Sequence, residues 1–347
     1  MTRKPLFILI SELILIALFL TLLNRIFMPK YVSENEDGHI TEDFYREKDT
    51  DILFVGSSTV YSGISPPVIW EKQGFTSYDR SNASQTLWTS YYMIEDAVKS
   101  GNKPKLVVLD IGFVKYDDDF AEEPSNRKAI DGMRPSLTKL SCIEAAMGES
   151  ERLIEYIFPV LRFHTRWKEL RGEDFWYALF DAKHVSYNGF MIDYRQTEEL
   201  PERSEGRYFK DEGEILPDKS VSYLKKTLTL CRDNQIQVLL IKMPSLSQNW
   251  SYGFDRQIEE IAAPYGVNYI NFDEESDRIG IDYLLDSPDE GGHLNTPGAE
   301  KFSAYLADYI KEYFELPSHF DDDGLRAVWD EKIRIYEAAK AEWSKKN

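Results

Sequence analysis

Cysteine is nearly missing from this chain of 347 residues. The two present, Cys142 and Cys231, lie far apart, which excludes a disulfide framework and a cysteine-rich metal site. They read as two small buried hydrophobes, with a single bridge as the alternative. Histidine is scarce too: His39, His164, His184, His293 and His319 stand alone, without HxxxH or CxxC spacing. No metal site and no cofactor is expected on that pattern. Basic runs are lacking beyond the extreme N-terminus, and 60 acidic side chains against 41 basic ones leave a net charge of -19. Such a field repels phosphate backbones, so nucleic acid is not an expected partner. It also disfavours non-specific contact with anionic lipid or anionic wall polymers; a neutral glycan or a membrane protein suits it better. Repeats and low-complexity tracts are missing, and 42% hydrophobic residues exclude disorder as the default.

What the chain does have, at its start, is a long apolar run. From Pro5 to Phe27 it would span about 34 Å as a helix, against about 30 Å of hydrocarbon. No small-x-small cleavage site follows, so an uncleaved anchor over residues 1–27 is expected rather than a signal peptide. Arg3 and Lys4 before the run favour a single pass at the cell membrane, with the N-terminus cytoplasmic and the main domain outside; Arg25 and Lys30 oppose them. Glu12 interrupts the run, either protonated or snorkelling, or as a polar contact to a partner helix.

Residues 28–50 are polar and aperiodic and read as a juxtamembrane linker. Short, nearly continuous apolar runs follow at 52–55, 76–78, 106–111, 238–241 and 267–270. Runs without alternation suit strands buried on both faces. Helical patterns at 65–73, 86–100, 219–234 and 255–265 separate them, predicting an α/β domain over 51–316 with a doubly wound, parallel five-stranded sheet. The stretch 113–218 is too long for an ordinary crossover and reads as a largely helical insertion, with helices near 128–147 and 150–170. A C-terminal amphipathic helix occupies 317–347, its apolar residues running from Leu325 to Trp343.

Two segments can carry chemistry. Gly56-Ser57-Ser58 ends the first strand, where such a sheet presents its sites, and backbone N–H groups near Ser58 can face an oxyanion. The second runs from Asp286 to Glu300 and contains Asp289, Glu290 and His293 ahead of a helix at 297–314 with Thr296 as its N-cap. A serine nucleophile needs a base in reach, and the base needs an acceptor to fix its tautomer. His293 is the candidate base, and Asp289 or Glu290 its acceptor. Asp289 is preferred, because Asp is shorter and stiffer and Gly291-Gly292 lend the loop flexibility. Three further groups stand out. Phe163 to Trp167 suits packing or a substrate-facing lip. Lys242 to Ser245 suits a strand-ending turn. Trp88, Trp167, Trp176 and Trp250 suit core packing or stacking on sugars.

On the Gly-Ser-Ser and Asp-x-x-x-His segments, the chain from about Asp51 to Ile310 resembles the SGNH/GDSL hydrolase superfamily. It looks closest to the membrane-anchored bacterial members related to the alginate acetyltransferase and D-alanyl-transfer proteins. The resemblance implies a flavodoxin-like fold with Ser58 as nucleophile, His293 as base, and Asp289 (or Glu290) as orienting acid. Ser57 stands where the family has aspartate. Asn82 and Gln85 stand after the second strand near the family's Gly block, and Asp110-Ile111-Gly112 where it has Gly-x-Asn. Ser57, Asn82, Gln85 and Gly112 are thus the candidate oxyanion or substrate contacts. The implied function is an extracytoplasmic serine-dependent O-acyltransferase or acylesterase. It would act on a cell-surface glycan through an acyl-serine. The alternative is a non-catalytic, membrane-anchored scaffold for a multi-spanning acyltransferase.

Overall fold

The computed structural model describes residues 3–29, 40–120, 122–180, 187–200, 214–246 and 250–346. Five strands form one sheet: β1 Ile52–Val55, β2 Ser77–Asp79, β3 Leu106–Asp110, β4 Gln237–Lys242 and β5 Asn268–Asn271. Their spatial order is β2-β1-β3-β4-β5 and every pairing is parallel. β1 is buried at every position, so neither of its faces meets water. Ile52 and Phe54 point into a core shared with Leu106, Val108, Leu239 and Ile241. Leu53 and Val55 point the other way and are equally buried. This two-sided burial is why the strands read as unbroken apolar runs. Each fully buried side chain of this size contributes about 1.5–3 kcal/mol.

Helices cover the sheet in two groups. Pro66–Gln73 packs on Thr296–Tyr313, while Leu87–Lys99 packs on Asp218–Asp233 and on Leu137–Ala146. The chain turns from one group to the other as β1 leads to β2 and β2 to β3. β1 therefore flanks the point where the strand order reverses.

Several expected boundaries shift, for local reasons. The expected helix at 128–147 is two helices, Glu123–Ile130 and Leu137–Ala146. Pro135 interrupts it, and Ser136 restarts it by accepting a hydrogen bond from the Lys139 N–H at 3.1 Å. The one at 150–170 breaks before Pro159 into Leu153–Ile157 and Pro159–Phe163, then a 3-10 turn over His164–Lys168. The linker expected to reach residue 50 is helical from Ile40, with Phe44 fully buried edge-on to Tyr78; most of its earlier part lies outside the described residues. The C-terminal helix, Asp323–Lys346, buries Trp329 and Tyr336; Trp329 stacks on Trp70 with ring centroids 5.0 Å apart. Cys142 and Cys231 are both buried and both free.

The chain divides into two compact units. The larger holds the sheet and comprises Val32–Gly148 and Val185–Asn347. The smaller comprises Met1–Tyr31 and Glu149–His184. Within it the helix Arg3–Phe27 is long and apolar enough to cross a membrane over Leu6–Phe27. The Asn24 side-chain oxygen accepts from the Val160 N–H at 3.1 Å, and the Arg166 guanidinium donates to the Phe27 carbonyl at 2.5 Å.

Candidate active site

The turn after β1 owes its shape to Gly56. A Cβ there would lie 2.4 Å from a methyl of Val60 and 2.8 Å from the Asp110 Cβ, closer than any side chain can sit. The chain thus passes directly against the end of β3 before Ser57 opens the short helix Ser58–Gly63. The amides of Ser58 and Thr59 fall in that helix's first turn, where the helix itself has no carbonyl four residues back to receive them. Asp110 fixes the arrangement from beneath. One of its carboxylate oxygens accepts from the N–H groups of Gly112 and Met243, both at 3.2 Å, and the other from the Thr59 hydroxyl at 3.2 Å. One buried side chain therefore ties together the ends of β1, β3 and β4. Burial pushes its carboxyl upward, against the pull of those donors and of Lys242.

His293 arrives from a loop stabilised at both ends. On the downstream side Asn295, not Thr296, caps the helix Thr296–Tyr313 by accepting from the Gly298 N–H at 3.2 Å. Thr296 instead sits in the first turn and exchanges bonds with the Asp193 backbone, its N–H donating at 2.6 Å and its hydroxyl accepting at 2.9 Å. Upstream, the Ser287 hydroxyl accepts from the N–H groups of Asp289 and Gly291 at 3.2 and 2.8 Å. Gly291 is left-handed at φ +88°, and a Cβ on it would strike Leu246 at 2.5 Å. The Leu246 N–H donates to the Gly291 carbonyl at 2.7 Å, pinning the loop to the end of β4.

These two supports bring three side chains into line. Ser58 Oγ lies 2.7 Å from His293 Nε2, and His293 Nδ1 lies 2.5 Å from Asp289 Oδ2. The other oxygen of Asp289 accepts from the His293 backbone N–H at 2.8 Å. A carboxylate only accepts, so the ring proton belongs on Nδ1, and Nε2 is left to accept from the serine hydroxyl. Partial burial raises the Asp289 carboxyl, but the bonds and charge of His293 together with the Ser287 hydroxyl outweigh it and hold it below the usual range. Glu290 stands exposed in a left-handed backbone conformation at φ +57°, and Asp289 is the acid that meets the histidine. No protein-family model matches this chain, and no curated protein does.

The remaining candidates divide differently. Ser57 is buried with its hydroxyl 3.0 Å from that of Thr59. The Gly112 N–H is already committed to Asp110. Asn82 and Gln85 are buried in a closed network after β2: Asn82 donates to Gln85 at 3.2 Å, and Gln85 donates to Ser90 at 3.1 Å and to the Arg80 carbonyl at 3.4 Å. Their side-chain N–H groups are engaged in these bonds within the fold. Trp88 and Trp250 are buried, so neither offers a face to a sugar; the Lys219 ammonium sits 4.1 Å over Trp88, and the Trp250 N–H donates to Asp255 at 2.8 Å. Trp167 and Trp176 are exposed and belong to the smaller unit, as does the whole Phe163–Trp167 stretch. Met243, in the Lys242–Ser245 turn, supplies one of the N–H groups on Asp110. Thr59 and Ser287 are supporting residues that sequence reasoning overlooked, and Asp110 was noted only as part of the segment after the third strand. Only the Ser-x-Asp spacing at 287–289 gave a local hint, as a side-chain-to-backbone turn.

Proposed function

We propose that this protein is a serine-dependent O-acyltransferase or acylesterase, anchored by its N-terminal helix and acting outside the cell on a surface glycan. The observation that carries the reading is the Ser58–His293–Asp289 line, with both links at hydrogen-bond length. In the reaction, Ser58 Oγ bonds to the acyl carbonyl carbon while its proton passes to His293 Nε2. The carbonyl oxygen becomes an oxyanion facing the first-turn amides of Ser58 and Thr59. Collapse breaks the bond to the leaving group, which departs with the proton from His293, and an acyl-serine remains. A sugar hydroxyl or water then attacks that ester and gives its proton to His293, and collapse breaks the bond to Ser58 Oγ, which takes the proton back from His293.

The resemblance to SGNH/GDSL proteins supports the same chemistry. The single pass and the N-in orientation rest on the apolar Leu6–Phe27 helix and on Arg3 and Lys4 before it. One observation favours a second reading, a non-catalytic scaffold that binds a multi-spanning acyltransferase: the side-chain donors near β2 are committed elsewhere. A fluorophosphonate probe separates the two. Covalent labelling of the wild-type chain that vanishes in Ser58→Ala supports the enzyme. An unlabelled wild-type chain, or acyl transfer undiminished in Ser58→Ala, overturns it in favour of the scaffold.

A further inference from the structure

The smaller unit carries an apolar surface that its long helix alone does not account for. In the helix Gly172–Phe180, Phe175, Trp176, Leu179 and Phe180 are exposed, Trp176 at 59% and Phe180 at 63%, while Asp174 and Ala178 are buried. Positions 175, 176, 179 and 180 share one helical face, and 174 and 178 the other. The preceding short helices leave Ile154, Ile157 and Leu161 exposed as well. The helix Gly172–Phe180 packs on the long helix, and the turns before it are tied to that helix's last turn. The Val160 N–H bonds to Asn24, Arg166 closes the Phe27 carbonyl, and Ile26 between them is buried.

Charge points the same way. Between residues 162 and 171 the sequence holds Arg162, Arg166, Lys168 and Arg171 against one acid, Glu169, in a chain whose net charge is -19, and Arg166 also pairs with Asp174 at 3.3 Å. The Lys168 ammonium lies 5.4 Å over the ring of Trp167, which is itself exposed. Tryptophan, phenylalanine and cations on long stems, gathered at the end of an apolar helix, match the layer where acyl chains meet headgroups.

We propose that the helix Gly172–Phe180 and the turns before it lie in the bilayer interface, apolar side chains among the acyl chains and basic ones on anionic headgroups. The membrane thus receives the chain through a helical platform as well as through one spanning helix. This rests on reading Arg3–Phe27 as a membrane anchor. A lipid surface is the occupant because the platform packs on the helix Arg3–Phe27, whose residues Leu6–Ile10 and Leu13–Phe19 are all exposed and apolar.

The test uses the full chain in nanodiscs of phosphatidylcholine with phosphatidylglycerol. A nitroxide is placed on Leu15→Cys, Trp176→Cys, Phe180→Cys or, as an aqueous control, Lys311→Cys. Cys142 and Cys231 are buried and stay unlabelled. Relaxation by oxygen and by a water-soluble nickel chelate reports depth. Labels at 176 and 180 should shift toward oxygen relative to 311, though less than at 15. Arg162→Glu with Lys168→Glu should move the label at 176 outward in the anionic discs and not in pure phosphatidylcholine. Nickel access at 176 and 180 equal to that at 311, with 15 still deep, overturns the platform and leaves the anchor standing. Nickel access at 15 as well removes the anchor and the platform together. Shielding of 176 and 180 from both reagents means a protein covers them, which also overturns the lipid assignment.

Discussion

Two polar clusters border the same sheet, and their difference explains which one can do chemistry. Behind β2, Arg80 is fully buried; it donates to Asp96 at 2.6 Å, to the Met93 carbonyl at 2.8 Å and to Tyr45 at 3.2 Å. Its guanidinium also lies 4.4 Å over the Phe44 ring. Asp96 is closed in turn by the Tyr45 hydroxyl at 2.6 Å. Beyond β1, Ser58, His293 and Asp289 are tied just as closely to one another, yet the His293 side chain keeps 33% of its surface exposed and Asp289 46%. A fully buried cluster is out of a ligand's reach. An open one leaves a lone pair and a nucleophile at the surface, held in place by groups that face inward. Polarity and burial alone do not mark a site; the direction of the uncommitted atoms does.

That contrast can be broken from either side. His293→Ala should lower fluorophosphonate labelling or acyl transfer by about 10⁴-fold or more, since the base acts as a unit with its serine. Asp289→Ala should cost about 10²–10⁴-fold in the same assay, and Glu290→Ala should serve as its control. Arg80→Met should act on the other quantity. Leaving Asp96 buried without its cation costs about 3–5 kcal/mol of stability, read as a lower denaturation midpoint, while the folded fraction keeps its labelling rate. Loss of labelling in folded Arg80→Met protein would break the comparison, because the two clusters would then be one.

Asp110→Asn gives a smaller, pH-dependent effect. The Asp110 carboxyl is raised in the fold, so its stabilising contribution is fully present below the unfolded value, about 3.9, and is lost as pH rises through the folded one. An asparagine keeps the oxygen that accepts from Gly112 and Met243 and does not ionise. Thermal melts should show the variant gaining on the wild type as pH rises through that window; a constant difference at all pH values would count against the raised carboxyl. Glu290→Ala is expected to be the smallest effect of all, less than about twofold in labelling, as for a surface residue away from any bond network. A larger drop would mean that Glu290 shares the work of Asp289.

The parallel sheet was legible because two-sided burial forces continuous apolar runs, and β1 and β3 carry them almost without exception. The helix breaks at Pro135 and Pro159 were legible in principle, since proline chemistry is local; the apolar periodicity around them masked it. Residues 40–46 were missed because their burial depends on Tyr78 and Arg80, far along the chain. The hydrogen bonds of Asn82 and Gln85 were not legible for the same reason. A sequence shows that an amide stands after a strand, not which way it turns.

By itself, the sequence determined the spanning-length helix, the strand–helix alternation, and Ser58 and His293 as the pair to watch. Each of these follows from local composition or from residue chemistry at a strand or helix end. Only the tertiary structure decided that Asp289 rather than Glu290 meets His293, because the left-handed turn at Glu290 and Gly291 sends the neighbouring side chains in different directions. It alone showed that Asp110 joins three strand ends beneath the serine, and that residues 149–184 fold with the N-terminal helix rather than with the sheet. Both depend on contacts between residues distant in sequence, where packing and hydrogen-bond geometry, not pattern, set the outcome.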